Sequence, residues 1–444
     1  MFIAIANAIG SNRKSIDKNT KLIKSFKARV LADGGTFEAE SCLKTTLESL
    51  NLQYPPLLIT APVVSGNNYS GQTLTTTNGV FDGITPLVYT YQWLLDGSPI
   101  LGATSSTYVV TSNGTISCKV TATNSFGSVT STSNEIIPDD RLIFSVKTDN
   151  AGTSASNQFT IPTTGTGYLY DIETSDGQII TGRTGNTTIT FPSAGTYDVY
   201  ISGSFPQFYF NNGGDRLKLI DLKNLGIYAQ GSTSQLSAFN GCSNLVISAT
   251  DIGHFENVTN FSFSWIGCSS LTSFPLIDTS KSTIFNYAWY NCTSLTSFPL
   301  LDTSSGTNFS YAWRDCTSLT SFPLLDTSKG TDFSNAWRNC SSLTSFPLID
   351  TSNCTNFSLA WYNCTSLISF PSNAFDTNIA TNYTNSFLFT NLTTQSIDNI
   401  LVSLDASGVL NGTFNQSGGG NLPSTTGLAA KANLISKGWT ITTN

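Results

Sequence analysis

The sequence predicts a mainly β protein: an N-terminal anchor segment, two β-sandwich modules in series, a solenoid with a 24-residue period and a small α/β C-terminal cap. Two observations lead to this prediction. Five tryptophans recur at a constant interval of 24 residues, which is typical of stacked repeats. Charged residues make up only 11 % of the chain, and Ser, Thr, Asn and Gly fill most polar positions, which favours strands and turns over helices.

The length supports several domains, because a chain of 444 residues is too long for one compact core. Shifts in composition divide the chain into five segments. They are the anchor segment 1–54, the first sandwich 55–138, the second sandwich 139–208, the solenoid 209–390 and the cap 391–444.

The anchor segment differs from the rest of the chain in charge. Residues 1–50 carry a net +3, which leaves −10 for the remainder of a chain whose total is −7. A basic segment with little core of its own is expected to order on a partner; the alternative is a mobile tail. The acidic remainder lacks the basic face of a nucleic-acid-binding protein. The candidate anchor residues are Arg13, Lys14, Lys18, Lys21, Lys24, Lys27 and Arg29.

The sequence predicts neither export nor membrane insertion. The apolar start, Phe2 to Ile9, is followed by its positive charges, whereas a secretory signal is preceded by them. No apolar run approaches the roughly 20 residues of a membrane helix.

The first sandwich is predicted from a strand that carries a core tryptophan, Trp93, and from the hairpin turn Asp96-Gly97. Ile116, Cys118 and Val120 alternate inward on a later strand. The run Y-Q-W-L-L-D-G-S-P-I resembles immunoglobulin-like domains of bacteria and phages. Cys118 has no partner for the intersheet disulfide of antibody domains, so packing around Trp93 must suffice.

The second sandwich is predicted from strand-like runs at 142–146, 158–161 and 191–201. The stretch F-P-S-A-G-T-Y-D-V, which begins at Phe191, resembles a polycystic-kidney-disease-type (PKD-like) domain. The W-G-D-G motif of that family is reduced here to Thr174-Ser175-Asp176-Gly177.

The solenoid is predicted from columns of residues that repeat every 24 positions. Within one unit, Leu295, Phe298 and Leu300 are expected to point inward from a short strand, and Asp302 is expected to cap a turn. A single unit cannot bury its apolar residues, but stacked units can. The columns are Trp265, Trp289, Trp313, Trp337 and Trp361; Cys268, Cys292, Cys316, Cys340 and Cys364; Leu271, Leu295, Leu319, Leu343 and Leu367; and Phe-Pro from Phe274 to Phe370.

The cysteine column is best interpreted as a ladder of buried thiols, with disulfides between units and metal binding as lesser alternatives. The odd total of nine cysteines, the missing Cys-x-x-Cys pair and the single histidine, His254, argue against a disulfide framework and against zinc. The tryptophan column is interpreted as core, with an aromatic platform for sugars as the alternative.

Both ends of the repeats carry variant units, as stacked repeats require. Upstream, Ala238 to Leu245 forms a degenerate unit, and downstream Phe387 replaces Trp after a two-residue insertion. Helices are predicted at 396–404 and 425–437, followed by a strand at 439–441.

The units C-S-S-L-T-S-F-P-L-I-D-T-S, the entry F-N-N-G-G-D-R-L-K-L and the exit A-N-L-I-S-K-G-W-T-I-T resemble BspA-type leucine-rich repeats over about residues 205–444. Similar repeats occur in bacterial surface proteins and bacteriophage virion proteins, so the resemblance implies adhesion, recognition or display. In the anchor segment, Ala28 to Thr36 is similar to a segment near the start of tailed-phage structural proteins.

The sequence predicts no catalytic residue, no metal site and no cofactor, and therefore no enzyme. His254 lacks a supporting nucleophile motif. One aspartate per unit at a turn, as at Asp302, matches repeated capping better than the paired carboxylates of a glycosidase. Gly418-Gly419-Gly420 lacks the lysine of a phosphate-binding loop.

The predicted function is that of a phage head-fibre, decoration or tail-associated protein on the virion surface. Its anchor segment would bind other virion proteins, and its solenoid would bind a host-surface glycan or protein; a homo-oligomer is compatible with this arrangement. The alternative is an adhesin on a bacterial cell surface. Positions that vary between otherwise fixed repeats indicate a recognition face, although neutral drift gives the same pattern. The candidate residues are Tyr287, Tyr290, Tyr311, Arg314, Asn335, Arg338, Leu359 and Tyr362.

Overall fold

The computed structural model describes residues 55–66, 68, 72–83, 85–111 and 114–444. It confirms a mainly β protein, with 27 % strand and 7 % helix. The anchor segment 1–54 lies outside the described residues. That segment includes the candidate anchor residues Arg13, Lys14, Lys18, Lys21, Lys24, Lys27 and Arg29, together with Cys42. Contacts divide the chain into two compact units, one ending at Pro138 and one that continues from Asp139 to Asn444.

The first unit consists of antiparallel strands. A four-stranded sheet has the order β6-β5-β8-β9, a three-stranded sheet has the order β2-β3-β7, and β1 pairs with β4. The strands are β1 Leu57–Thr60, β2 Val64–Ser65, β3 Thr73–Thr76, β4 Val80–Asp82, β5 Val88–Leu95, β6 Ser98–Pro99, β7 Thr107–Val109, β8 Ile116–Asn124 and β9 Gly127–Thr132.

Trp93 lies at the centre of the core of the first unit, as predicted, and is fully buried. Its Nε1 donates to the carbonyl of Ser105 at 2.9 Å, and its ring stacks on Tyr108. Cys118 lies opposite Trp93 on β8 and is a free, buried thiol. The predicted turn between β5 and β6 is present, with a left-handed φ of 48° at Asp96, a residue type that tolerates this conformation.

The second unit begins with a six-stranded sheet of order β13-β12-β15-β10-β16-β17 and a two-stranded sheet of β11 and β14. The six-stranded sheet crosses position 208/209, where the sequence divides the second sandwich from the repeats. The strands are β10 Leu142–Lys147, β11 Gln158–Ile161, β12 Leu169–Thr174, β13 Ile179–Arg183, β14 Thr187–Thr190, β15 Thr196–Ser204, β16 Leu219–Asn224 and β17 Val246–Ile247.

The 24-residue units that follow stack directly on one another. Parallel bridges join equivalent positions of successive units, from Ser234 and Asn260 through Asn308 to Asn356 and Asn382. The indole rings are parallel and 5.3 to 5.7 Å apart along the stack. Each residue therefore lies over its own equivalent, and one hydrophobic core runs through this unit.

The inward pattern of each unit differs from the prediction. Leu295 and Phe298 are buried as expected, but Leu300 is 62 % exposed and Leu301 is buried instead. A tight turn, in which Leu301 N donates to the carbonyl of Pro299 at 3.0 Å, places every third residue inward instead of every second. Proline also has no N–H to donate to a strand ladder, and this stretch forms no strand.

The thiols and turn aspartates have the predicted roles. Cys316 is fully buried, and its thiol donates to the carbonyl of Trp289 in the preceding unit at 3.2 Å. The same bond recurs along the cysteine column. The carboxylate of Asp302 accepts from the backbone N–H of Ser304 at 3.0 Å, which closes a local turn.

The C-terminal segment has the predicted helices and final strand. A parallel sheet of β18 Asn382–Tyr383, β19 Thr413–Gln416 and β20 Thr440–Thr443 continues the stack. The helices are α1 Thr394–Ala406 and α2 Thr425–Ser436, which begin at the N-caps Thr393 and Ser424. Among the residues that the structure describes, no helix has the length and apolarity needed to span a bilayer.

Candidate binding face

Two positions in each unit adopt a left-handed backbone, and they lie on either side of the tryptophan. The first column consists of Phe263, Tyr287, Tyr311, Asn335 and Leu359, with φ between 56° and 61°. The second column consists of Gly267, Asn291, Asp315, Asn339 and Asn363, with φ between 59° and 69°. These paired turns let the alanine and tryptophan between them point into the core while the flanking side chains point outward.

The two columns differ in the residues that occupy them. The second contains only Gly, Asn and Asp, the residue types that tolerate φ near +60°. The first contains Phe, Tyr and Leu at four of its five positions, although this conformation costs an L-residue roughly 1–2 kcal/mol and these side chains lack the local hydrogen bonds available to Asn and Asp. Local backbone preference therefore does not explain the first column, and Asn335 shows which residue that preference would select.

Tyr287 and Tyr311 form the centre of the candidate face. Their rings are parallel with centroids 4.3 Å apart, and Phe263 stacks on Tyr287 at 5.0 Å. Because each ring covers its neighbour, the edges face solvent. Burial raises the pKa of the Tyr287 hydroxyl, and the neighbouring Tyr311 raises it further.

Two arginines lie against this aromatic column. The Arg314 guanidinium lies 5.4 Å from the ring centroid of Tyr290 and 5.5 Å from that of Tyr311. Arg338 lies over the ring of Tyr362 at 4.7 Å. These distances are in the range of cation–π contacts, which hold a guanidinium in place without using its hydrogen-bond donors.

The arginine Nε atoms are only weakly paired. Arg314 Nε lies 3.3 Å from a carboxylate oxygen of Asp315 but makes no hydrogen bond with a described residue. Arg338 Nε is buried and has no hydrogen-bond acceptor among the described residues. The Arg314–Asp315 contact is therefore electrostatic only.

Seven of the eight predicted residues have partly exposed side chains, and the eighth is buried. Asn335 is 5 % exposed, because Arg338 lies over it and donates to its side-chain oxygen at 3.3 Å. The prediction that Asn335 faces solvent is wrong. We call the other seven residues, together with Phe263 and Phe389, the aromatic–arginine face: Phe263, Tyr287, Tyr290, Tyr311, Arg314, Arg338, Leu359, Tyr362 and Phe389.

Sequence reasoning missed two members of this face. Phe263 lies 24 residues before Tyr287 and could have been found by extending the column by one unit. Phe389 contacts Tyr362 edge-on at 5.5 Å and is 42 % exposed. Counting the two-residue insertion, it follows Asn363 in the second left-handed column, where the earlier units have Gly, Asn or Asp, so the spacing predicted no aromatic residue there.

The tryptophan and cysteine columns, for which a sugar platform and metal binding were the alternatives, belong to the core. The tryptophans are buried and cannot form a sugar platform at the surface. The cysteines are free thiols whose pKa values are raised by burial, to about 12 for Cys316 and Cys364. Within the described ranges, no three His, Cys, Asp or Glu side chains are grouped to hold a metal ion.

Comparisons with family models, with curated proteins and with solved structures gave no match.

Proposed function

We propose that this chain is a non-enzymatic structural protein of a bacteriophage virion, which binds the particle through residues 1–54 and presents its repeats to a host-surface glycan or protein. In this proposal the repeats form a leucine-rich-repeat solenoid of the BspA type. Residues 55–138 and 139–208 form immunoglobulin-like and PKD-like spacers before it. The resemblances in the repeat and in both spacers support this arrangement.

One observation supports recognition above all: bulky rings occupy left-handed positions where Asn would be less strained. Residues in unfavourable backbone conformations cluster at functional sites, where the surrounding fold maintains them. Tyr and Arg are also the residues that contribute most to binding at protein interfaces. Stacking between Tyr287 and Tyr311 offsets part of the strain, so structural support is the competing explanation.

Localisation tests the first half of the proposal. Gold-labelled antibodies against residues 139–444 should decorate particles purified from the lysate of an infected host. A chain that lacks residues 1–50 should be absent from such particles while still folding, as judged by circular dichroism. Labelling of uninfected cell surfaces without labelling of particles would contradict the proposal and favour a bacterial adhesin.

Cell binding tests the second half. Fluorescently labelled full-length protein should bind host cells, and the double variant Tyr287→Asn/Tyr311→Asn should bind about tenfold more weakly or worse. Leu300→Asn is the matched control, because it changes an exposed apolar residue of the same units outside the face. Equal binding by the double variant and the wild-type chain would show that the face is not the binding surface.

A further inference from the structure

A second site lies far from the aromatic–arginine face in sequence and belongs to the start of the second unit. A cleft of about 530 Å³ is bounded by the loop before β12, the connection after β15 and residues 230–236. Its volume lies within the range of small-molecule sites, about 300–1,000 Å³. The residues that line it include Thr164, Thr166, Gln207, Tyr209 and Thr233.

The cleft has no charged side chain in its lining, which consists of Thr, Ser, Gly, Gln, Tyr, Pro and Leu. An ionic ligand would lose its hydration there and gain no counter-charge. A neutral ligand with many hydrogen-bonding groups does not have this cost. The lining therefore selects against charged molecules.

Gln207 shows that the cleft has unused hydrogen-bonding capacity. It is only 8 % exposed, and its side-chain amide makes no hydrogen bond with another described residue. Gln235, fully buried nearby, makes the opposite use of its amide: it donates to the carbonyl of Pro206 at 3.0 Å and accepts from the hydroxyl of Tyr228 at 2.6 Å. Fully buried amides are normally satisfied in this way. The polar atoms of the Gln207 amide are not enclosed by protein, so they are open to a ligand in the cleft.

Three exposed threonines line the same cleft as that amide. Within the described residues, the side-chain hydroxyls of Thr164, Thr166 and Thr233 make no hydrogen bond. A hydroxyl can both donate and accept, which matches the hydroxyls of a sugar better than the fixed donors and acceptors of a peptide backbone.

Tyr209 supplies an aromatic surface beside these polar groups. Its ring is partly exposed and makes no contact with another described aromatic ring. Tyr287, by contrast, is covered on its ring faces by stacking. The wall behind the cleft is fixed, because the Tyr168 hydroxyl donates to the carbonyl of Gln207 at 2.8 Å and accepts from Thr164 N–H at 3.3 Å.

We propose that this cleft binds a neutral saccharide, with the Gln207 amide and the threonine hydroxyls bonding to ligand hydroxyls and the Tyr209 ring packing against an apolar sugar face. This site goes beyond the proposed function, because it requires neither virion attachment nor the aromatic–arginine face. A failure of one proposal leaves the other standing.

Saturation-transfer difference NMR on the full chain tests the proposal. The probes are maltose, lactose and the N-acetylglucosamine dimer, with 6-sulfated lactose as the charged comparison. At least one neutral disaccharide should receive saturation, and the sulfated sugar should receive none. Gln207→Met keeps the side-chain length and removes the amide, so it should weaken binding about tenfold. Tyr209→Phe should retain most binding, whereas Tyr209→Ala should lose it.

Folding controls keep the result interpretable. Gln207→Met should unfold at the wild-type temperature because its amide has no partner to lose, and Leu300→Asn should bind the sugar normally. The proposal is overturned if no neutral disaccharide binds, if the sulfated sugar binds equally well, or if Gln207→Met and Tyr209→Ala both bind as the wild-type chain does.

Discussion

Tryptophan forms the core in both units of the molecule, but the two environments differ. Trp93 in the first unit has one hydrogen-bond acceptor, the carbonyl of Ser105, and one stacking partner, Tyr108. Trp313 in the repeats lies between Trp289 and Trp337, each at 5.6 Å. Its buried Nε1 has no hydrogen-bond acceptor among the described residues, and the other four repeat tryptophans share this feature.

The difference lies in what surrounds each indole. In the first unit the Trp93 N–H reaches the carbonyl of Ser105. In the stack each indole lies between its equivalents; the thiol of the same unit donates to a carbonyl of the preceding unit, but the indole N–H does not. Ring stacking, worth about 0.5–1.5 kcal/mol per pair, offsets the cost of the unsatisfied donor. The column of stacked tryptophans is continued by Phe239 at one end and Phe387 at the other, and their side chains have no N–H.

The largest predicted contrast between the units is in alkaline solution. An unfolded thiol ionises near its ordinary pKa of 9.0, whereas burial holds the pKa of Cys316 and Cys364 at about 12. Because the folded pKa is raised, the stability contributed by the neutral thiols is complete below pH 9 and is lost as the pH rises towards 12. The second unit contains the cysteine column, whereas Cys118 is the one cysteine among the described residues of the first unit. The second unit should therefore unfold at a lower pH than the first.

Circular dichroism and tryptophan fluorescence across this pH range measure that contrast. Cys316→Ala/Cys340→Ala should make the second unit less sensitive to alkali. Alkaline unfolding of the first unit before the second would contradict the account.

The next largest effect is predicted for Trp313→Ala, which should lower the free energy of unfolding of the second unit by about 3–5 kcal/mol. Trp93→Ala, the matched change, should lower the stability of the first unit instead. Urea unfolding of both variants, followed by near-ultraviolet circular dichroism, separates the two transitions. An unchanged second transition in Trp313→Ala would mean that the ladder is not the core of the stack.

The smallest effect distinguishes the two kinds of tryptophan most sharply. Trp313→Phe keeps a stacking ring and removes an unsatisfied donor, so stability should change by less than about 1 kcal/mol. Trp93→Phe leaves the Ser105 carbonyl unpaired and should cost about 1–3 kcal/mol. Thermal unfolding measures both, and equal losses would refute the distinction.

The sequence predicted the features that depend on spacing alone. The burial of Trp313, Cys316 and Leu295 follows from a constant interval. The burial of Leu301 in place of Leu300 could not be predicted in this way. The turn at Phe-Pro places the third residue after Phe298 inward, and not the second. The left-handed backbone at Tyr287 was hidden as well, since tyrosine is a residue type that argues against this conformation.

The saccharide cleft could not have been predicted from spacing. Thr166, Gln207 and Thr233 are far apart in sequence and meet only because β12, β15 and the first repeats belong to one folded unit. No local motif marks such a set. The identities of the modules and the virion role rest on resemblance and stay predictions.

The central claim is that the aromatic column at left-handed positions is retained for binding and not for stability. Urea unfolding of Tyr287→Asn/Tyr311→Asn tests it most directly. Relief of backbone strain should balance the lost ring stacking, so the free energy of unfolding should stay within about 1 kcal/mol of the wild-type value or rise. A loss of about 3 kcal/mol or more, as for a core residue, would show that the column is structural.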